Sequence, residues 1–200
     1  MAITVVAYDL ITTGATFNGG VCSKAFLLTT GHPSSMPGPT AATWGGVAMT
    51  QNVRTGGQTC YYLDSPPTGS QVVAWSGGEG HNSAAWVVTT LGVRGGAGVS
   101  TVEGDLEIAG TVLAAGDFVL SAGYVEDVTG GLTMTLSSVT AYIHATEESH
   151  PSYYEHSRCA YYIAAAAGAL TETWSPAYGT DSSGLHIFSH AGPANQVVWL

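Results

Sequence analysis

Cys60-Tyr61-Tyr62-Leu63-Asp64-Ser65-Pro66-Pro67-Thr68-Gly69-Ser70-Gln71-Val72-Val73-Ala74-Trp75-Ser76 reads as strand, break, strand. Aromatic and β-branched residues on either side suit a pleated, half-buried surface. The six residues Asp64 to Gly69 must interrupt any ladder, because proline has no N–H to donate and fits only edges and turns. Strands Gln58–Leu63 and Gln71–Ser76 follow from this reading.

The same grammar extends outward. Toward the N-terminus it predicts strands at Ile3–Ala7 and Lys24–Thr29. Toward the C-terminus it predicts Ala84–Leu91, Asp117–Tyr124, Leu132–Leu136, Ala141–Ala145, Arg158–Ala165, Leu170–Trp174, Leu185–Ser189 and Gln196–Leu200. Gly77-Gly78-Glu79-Gly80 and Gly95-Gly96-Ala97-Gly98 are turns that tolerate positive φ. Residues 34–39 and Glu147–Tyr154 read as loops. Ala164–Leu170 has helical propensity but is too short for a stable helix, so it reads as a buried strand of small residues. Many short strands with turn signals between them predict an all-β, antiparallel two-sheet β-sandwich. No linker, composition change or repeat interrupts 1–200, which is therefore read as one domain.

Composition narrows function. Only 9% of residues are charged, 45% are hydrophobic and 27 are glycine, in a chain of 200 with a formal net charge of −10. Its cations are Lys24, Arg54, Arg94 and Arg158. Four scattered cations do not neutralise a phosphate backbone, so no nucleic acid is expected as partner. An anionic membrane surface would repel the chain, and no run reaches the ~18 apolar residues of a span. MAITVVAYDL has no basic leader segment, which predicts a protein made in a host cytoplasm. Cys22, Cys60 and Cys159 are odd in number and lack CxxC spacing, so they read as buried free thiols.

The stretch Thr43-Trp44-Gly45-Gly46-Val47-Ala48-Met49-Thr50 resembles a strand pair of a jelly-roll-like β-sandwich family found in phage virion proteins and secreted bacterial proteins. The decisive stretch, with its Pro-Pro-Thr-Gly turn, resembles the next segment of that family. Trp75-Ser76-Gly77 and Gly116-Asp117-Phe118-Val119-Leu120 resemble later ones, and Gln196–Leu200 resembles its last strand more weakly. The likeness is close over residues 40–125. It implies a jelly-roll-like fold and, through the family's use in virions, a structural role; the motifs themselves are not catalytic.

Glu147, Glu148, His150, Glu155 and His156 fall within ten residues and include donors a transition metal takes. Their spacing matches no known site and Pro151 makes the segment irregular, so a solvated polar loop or interface rim is expected, with no metal or cofactor. Glu103, Asp105 and Glu107 alternate, which puts them on one face of a strand, read as a solvated edge that discourages pairing. Gly98-Val99-Ser100-Thr101-Val102 lacks the second glycine of a nucleophile elbow. Trp44, Trp75, Trp86, Trp174 and Trp199 sit in apolar strands and read as core; Tyr153 and Tyr154, in a polar stretch, are surface candidates. No catalytic or binding residue emerges, and no enzyme is expected.

The expected protein is thus a non-enzymatic phage virion structural protein that decorates or cements a capsid. Its partners would be other virion proteins, the major capsid protein above all. It would act as a homo-oligomer or in many symmetric copies, a trimer at a local three-fold being favoured. The alternative is a carbohydrate- or receptor-binding module of a tail fibre or adhesin.

Overall fold

The computed structural model describes residues 2–30, 38–54, 58–77, 84–93, 99–103, 107–127, 130–136, 146–149, 154–175 and 181–188. The expected strands Ala141–Ala145 and Gln196–Leu200 lie outside the described residues, as do residues 34–37, 78–80 and 95–98, Tyr153 and Trp199.

The first half contributes β1 (Thr4–Thr12), β2 (Ala15–Asn18), β3 (Lys24–Thr30), β4 (Ala41–Trp44), β5 (Val47–Ala48), β6 (Thr50–Arg54), β7 (Gln58–Asp64), β8 (Ser70–Ser76) and β9 (Ala84–Leu91). The second half contributes β10 (Val99–Glu103), β11 (Glu107–Leu113), β12 (Phe118–Asp127), β13 (Thr135–Leu136), β14 (Thr146–Ser149), β15 (Tyr154–Ile163), β16 (Gly168–Ser175) and β17 (Asp181–Phe188). The described residues contain no helix, hence none long and apolar enough to cross a membrane. Every ladder is antiparallel.

Four sheets result. An outer sheet of order β2-β8-β4-β5 faces an inner sheet β1-β9-β3-β7-β6; a second inner sheet β10-β17-β12-β15-β14 faces an outer sheet β11-β16-β13. The antiparallel all-β sandwich class expected from sequence holds, and among the described residues strand pairing falls into two sets, one from residues 4–91 and one from 99–188. Each has its own filling. Phe17, Leu27, Trp44, Tyr61, Val73 and Val87 fill the first; Val125, Met134, Leu136, Ala160 and Trp174 fill the second. A third core joins the inner sheets: Phe26, Leu28, Cys60, Trp86 and Val88 from the first half pack with Phe118, Leu120, Ala122 and Cys159 from the second.

This stacking explains the apolar runs. Antiparallel sheets with one wet face alternate in hydrophobicity. Here β3 and β12 send alternate residues into two different cores, Phe26 and Phe118 one way, Leu27 and Val125 the other. Consequently β3 is buried up to Thr29 and β12 up to Val125. Outer strand β8 keeps the alternation, with Val73 and Trp75 buried and Val72 exposed.

Turns carry the expected chemistry. Gly45 and Gly46, at φ +56° and +78°, make the two-residue hairpin between β4 and β5, a turn needing positive φ at both positions. The break at Asp64–Gly69 carries the chain from one sheet to the other, since β7 and β8 belong to different sheets. Ahead of β12, Asp117 N–H donates to Ala114 O at 3.1 Å, and Ala114 N–H donates to Asp117 Oδ2 at 2.8 Å. That closes a β-turn and accounts for the Gly116-Asp117 pair. Gly123 lets the second pair of sheets close: a Cβ there would lie 2.8 Å from the Trp174 ring.

Three expectations need correction. Ala164–Leu170 is no continuous buried strand. β15 ends at Ile163, Ala165 to Ala167 are an exposed connection, and β16 begins at Gly168. Small side chains suit a connection between two sheets as well as a crowded strand, and pairing of Phe118 with Ile163 sets where β15 stops. Glu147–Tyr154 is not simply a loop, because β14 pairs with β15 over Thr146–Ser149. Leu132–Leu136 shortens to Thr135–Leu136.

Candidate functional site

The acidic–histidine segment is a hairpin. Its register sets Glu147 opposite His156, Glu148 opposite Glu155, and Ser149 opposite Tyr154. Adjacent residues on a strand point to opposite faces, so Glu155 and His156, both buried, diverge. His156 stacks on Tyr154 at 6.2 Å, two residues away on the same face. Tyr154 is therefore a half-buried strand residue, not a loop residue. His150 lies outside the described residues, and among the described residues no group of three potential ligands comes together.

Glu103, Asp105 and Glu107 do not share one strand face. Glu103 ends β10 and Glu107 begins β11, in different sheets, while Asp105 lies outside the described residues. Both strands are sheet edges, so the acidic residues still sit at the margins. Ser100 is in mid-ladder opposite Leu185.

Four tryptophans are interior: Trp44, Trp75, Trp86 and Trp174. Trp174 Nε1–H donates to Ser121 Oγ at 3.0 Å, which satisfies a buried donor. The thiols of Cys22, Cys60 and Cys159 are free and buried. Burial pushes the Cys60 and Cys159 thiols far above their ordinary value, so neither is a nucleophile at neutral pH.

Two cations turn inward. Lys24, with no exposed surface, pairs with Asp64 at 3.1 Å and lies 4.5 Å over the Tyr62 ring. Arg158 Nη1 donates to Met134 O at 2.6 Å. Lys24 ties the neighbouring strands β3 and β7 of one sheet, and Arg158 ties β15 to the segment leading into β13.

Two surface features remain. The first is the outer face of β2-β8-β4, built from Thr16, Asn18, Ser70, Val72, Ser76 and Ala41, all exposed and none charged. A recess of about 120 Å³ opens on it, lined by Ala41, Ala42, Thr43, Ala74, Trp75 and Ser76. Ligand pockets run to roughly 300 Å³ and above, so the recess has room for only a few atoms.

The second is the outer edge of β1. Tyr8 is 44% exposed and lies 5.4 Å from Tyr161 of the second sandwich. Burial first, then the neighbouring Tyr8, raises the Tyr161 phenol above its ordinary value. Val6 and Ile163 are also exposed. Sequence reasoning missed the tyrosine pair, because Tyr8 and Tyr161 are far apart in the chain and each reads as an ordinary strand residue.

No family model matches this chain, and no curated protein or solved structure matches it either.

Proposed function

We propose that this protein is a non-enzymatic structural component of a phage virion that decorates or cements the capsid in many copies. The observation that carries the reading is the uncharged outer face of β2-β8-β4 on a chain of net charge −10. Charged groups are depleted from interface cores because stripping their water is costly. A face of Thr, Ser, Ala and Val loses its water at low cost and can lie flat against a shell protein, while the remaining acidic surface keeps free copies soluble. The resemblance of residues 40–125 to a virion sandwich family supports the same reading. The partner is the major capsid protein, and weak single contacts sum over the repeated sites of a shell. The protein is made in the host cytoplasm and resides on the virion.

Particles assembled without the protein provide the test. Saturable, stoichiometric uptake of the purified chain is expected, and Ala74→Glu, which puts a charge on the face, abolishes it. Absence of saturable uptake refutes the reading.

A second reading, a carbohydrate- or receptor-binding module, is favoured by the recess on that face, where Thr43 and Ser76 supply polar groups. Specific binding on a glycan array distinguishes it.

A further inference from the structure

The inner sheet ends in a strand with little to protect it. β1 is nine residues long and, among the described residues, pairs only with β9. Its sequence, Thr4-Val5-Val6-Ala7-Tyr8-Asp9-Leu10-Ile11-Thr12, contains no Lys, Arg, Pro or Gly and one charge, Asp9. Exposed edges are normally blunted by lysine, proline, bulges or short length. β1 carries two such devices, the register shift between Val5 and Ala7 and the Asp9 side chain, whose Oδ1 accepts from Leu10 N–H at 2.8 Å and would have to give way to a partner strand. From Ala7 to Thr12 the ladder with β9 is regular, residue by residue, as far as Ala84. Tyr8, Asp9 and Thr12 are exposed there, and Leu10 is half-buried.

We propose that this edge pairs with β1 of a second copy of the chain, antiparallel about a two-fold axis at Leu10, joining two five-stranded sheets into one of ten. The occupant follows from self-complementarity. In an antiparallel ladder, facing residues must both present their backbone groups to the partner or both turn them away. Between two copies of one strand, this restricts the axis to a position where a residue faces itself. An axis at Asp9 would set two carboxylates opposite each other, which is destabilising. An axis at Tyr8 would run the ladder into the irregular stretch at Val6. An axis at Leu10 sets Leu10 against Leu10, Asp9 against Ile11 and Tyr8 against Thr12, with no like charges apposed and the bulge left outside. The exposed Val6 and Tyr8, with Ile163 across the sandwich junction, flank that edge with apolar surface for a neighbour to cover. The contact is two-fold, unlike the three-fold set expected from composition. It concerns the free chain and does not depend on the decoration reading.

Sedimentation of the full chain over a concentration series tests the pairing, and two cysteine variants test its register. A monomer–dimer equilibrium is expected, with Thr12→Lys raising the dissociation constant roughly tenfold or more. Thr12 is exposed and a lysine there leaves the fold intact, which an unchanged circular dichroism spectrum checks. Leu10→Cys should form an intermolecular disulfide under a mild disulfide oxidant, faster than Asp9→Cys. A chain that stays monomeric at its highest soluble concentration overturns the proposal. So does a dimer indifferent to Thr12→Lys, or faster cross-linking through Asp9→Cys.

Discussion

Replacing Phe118 with alanine asks whether the two sandwiches unfold as one body. Phe118 has no exposed surface and lies in the core shared by the inner sheets, 5.4 Å from the Phe26 ring and 6.3 Å from Tyr161. A buried phenyl side chain removes roughly 150 Å² from water, which at about 25 cal/mol per Å² is worth about 4 kcal/mol. Measured Phe-to-Ala losses of about 3–5 kcal/mol in cores agree, the cavity adding to the transfer cost. With a urea slope of about 2–3 kcal/mol per molar, the unfolding midpoint should fall by about 1.5–2 M. Pulsed hydrogen exchange at a series of urea concentrations, read by mass spectrometry, reports both halves at once. Peptides from β8 and from β16, neither of which contains Phe118, should lose protection at the same lowered midpoint. If the β8 peptides keep the wild-type midpoint while those of β16 shift, the shared core does not couple the sandwiches and the reasoning fails.

Other consequences are local. Gly123→Ala forces a methyl against the rigid Trp174 ring and the Met134 methyl, and should lower stability by about 1–3 kcal/mol in thermal or urea unfolding. Trp174→Phe removes the indole donor to buried Ser121 and should cost about 1–3 kcal/mol; restoration by Ser121→Ala in the same background would identify the hydrogen bond as the cause. Cys60 and Cys159 stay protonated when folded but ionise when unfolded, so the unfolded chain binds fewer protons above its thiol value. Stability should therefore be fully present below about pH 8.5 and fall above it, by up to about 1.4 kcal/mol per pH unit for each thiol. Urea titrations between pH 8 and 10 should show a shallower fall for Cys60→Ala/Cys159→Ala than for the wild type.

Period-2 patterning and turn residues, which are local properties, made the strands legible. Gln71–Ser76 and Ala84–Leu91 could be read from β-branched and aromatic runs bounded by glycine and proline, and the pair around Gly45-Gly46 only through the family resemblance. The antiparallel all-β class followed from their number. Where the local signal was silent, the reading failed. An alanine run says little about whether it lies in a strand or between two, and only the pairing of Phe118 with Ile163 decides that β15 stops before Ala164. The surroundings of the candidate residues depend on pairing as well. Ligand types close in sequence alternate faces once a strand forms, which separates Glu155 from His156, and a sheet change separates Glu103 from Glu107.

By itself, then, the sequence determined which segments extend, where they must turn, and that four cations stand against a net charge of −10. It could not say which face of Phe26 or Phe118 meets which partner, because an apolar residue is equally content in any core. Tertiary structure alone decided that the inner sheets share a third core, that Lys24 points inward to Asp64 and Tyr62, and that β1 is left at an edge beside Tyr161. The physical reason is that strand order and sheet stacking depend on contacts between residues remote in the chain, for which burial is non-directional and composition carries no address.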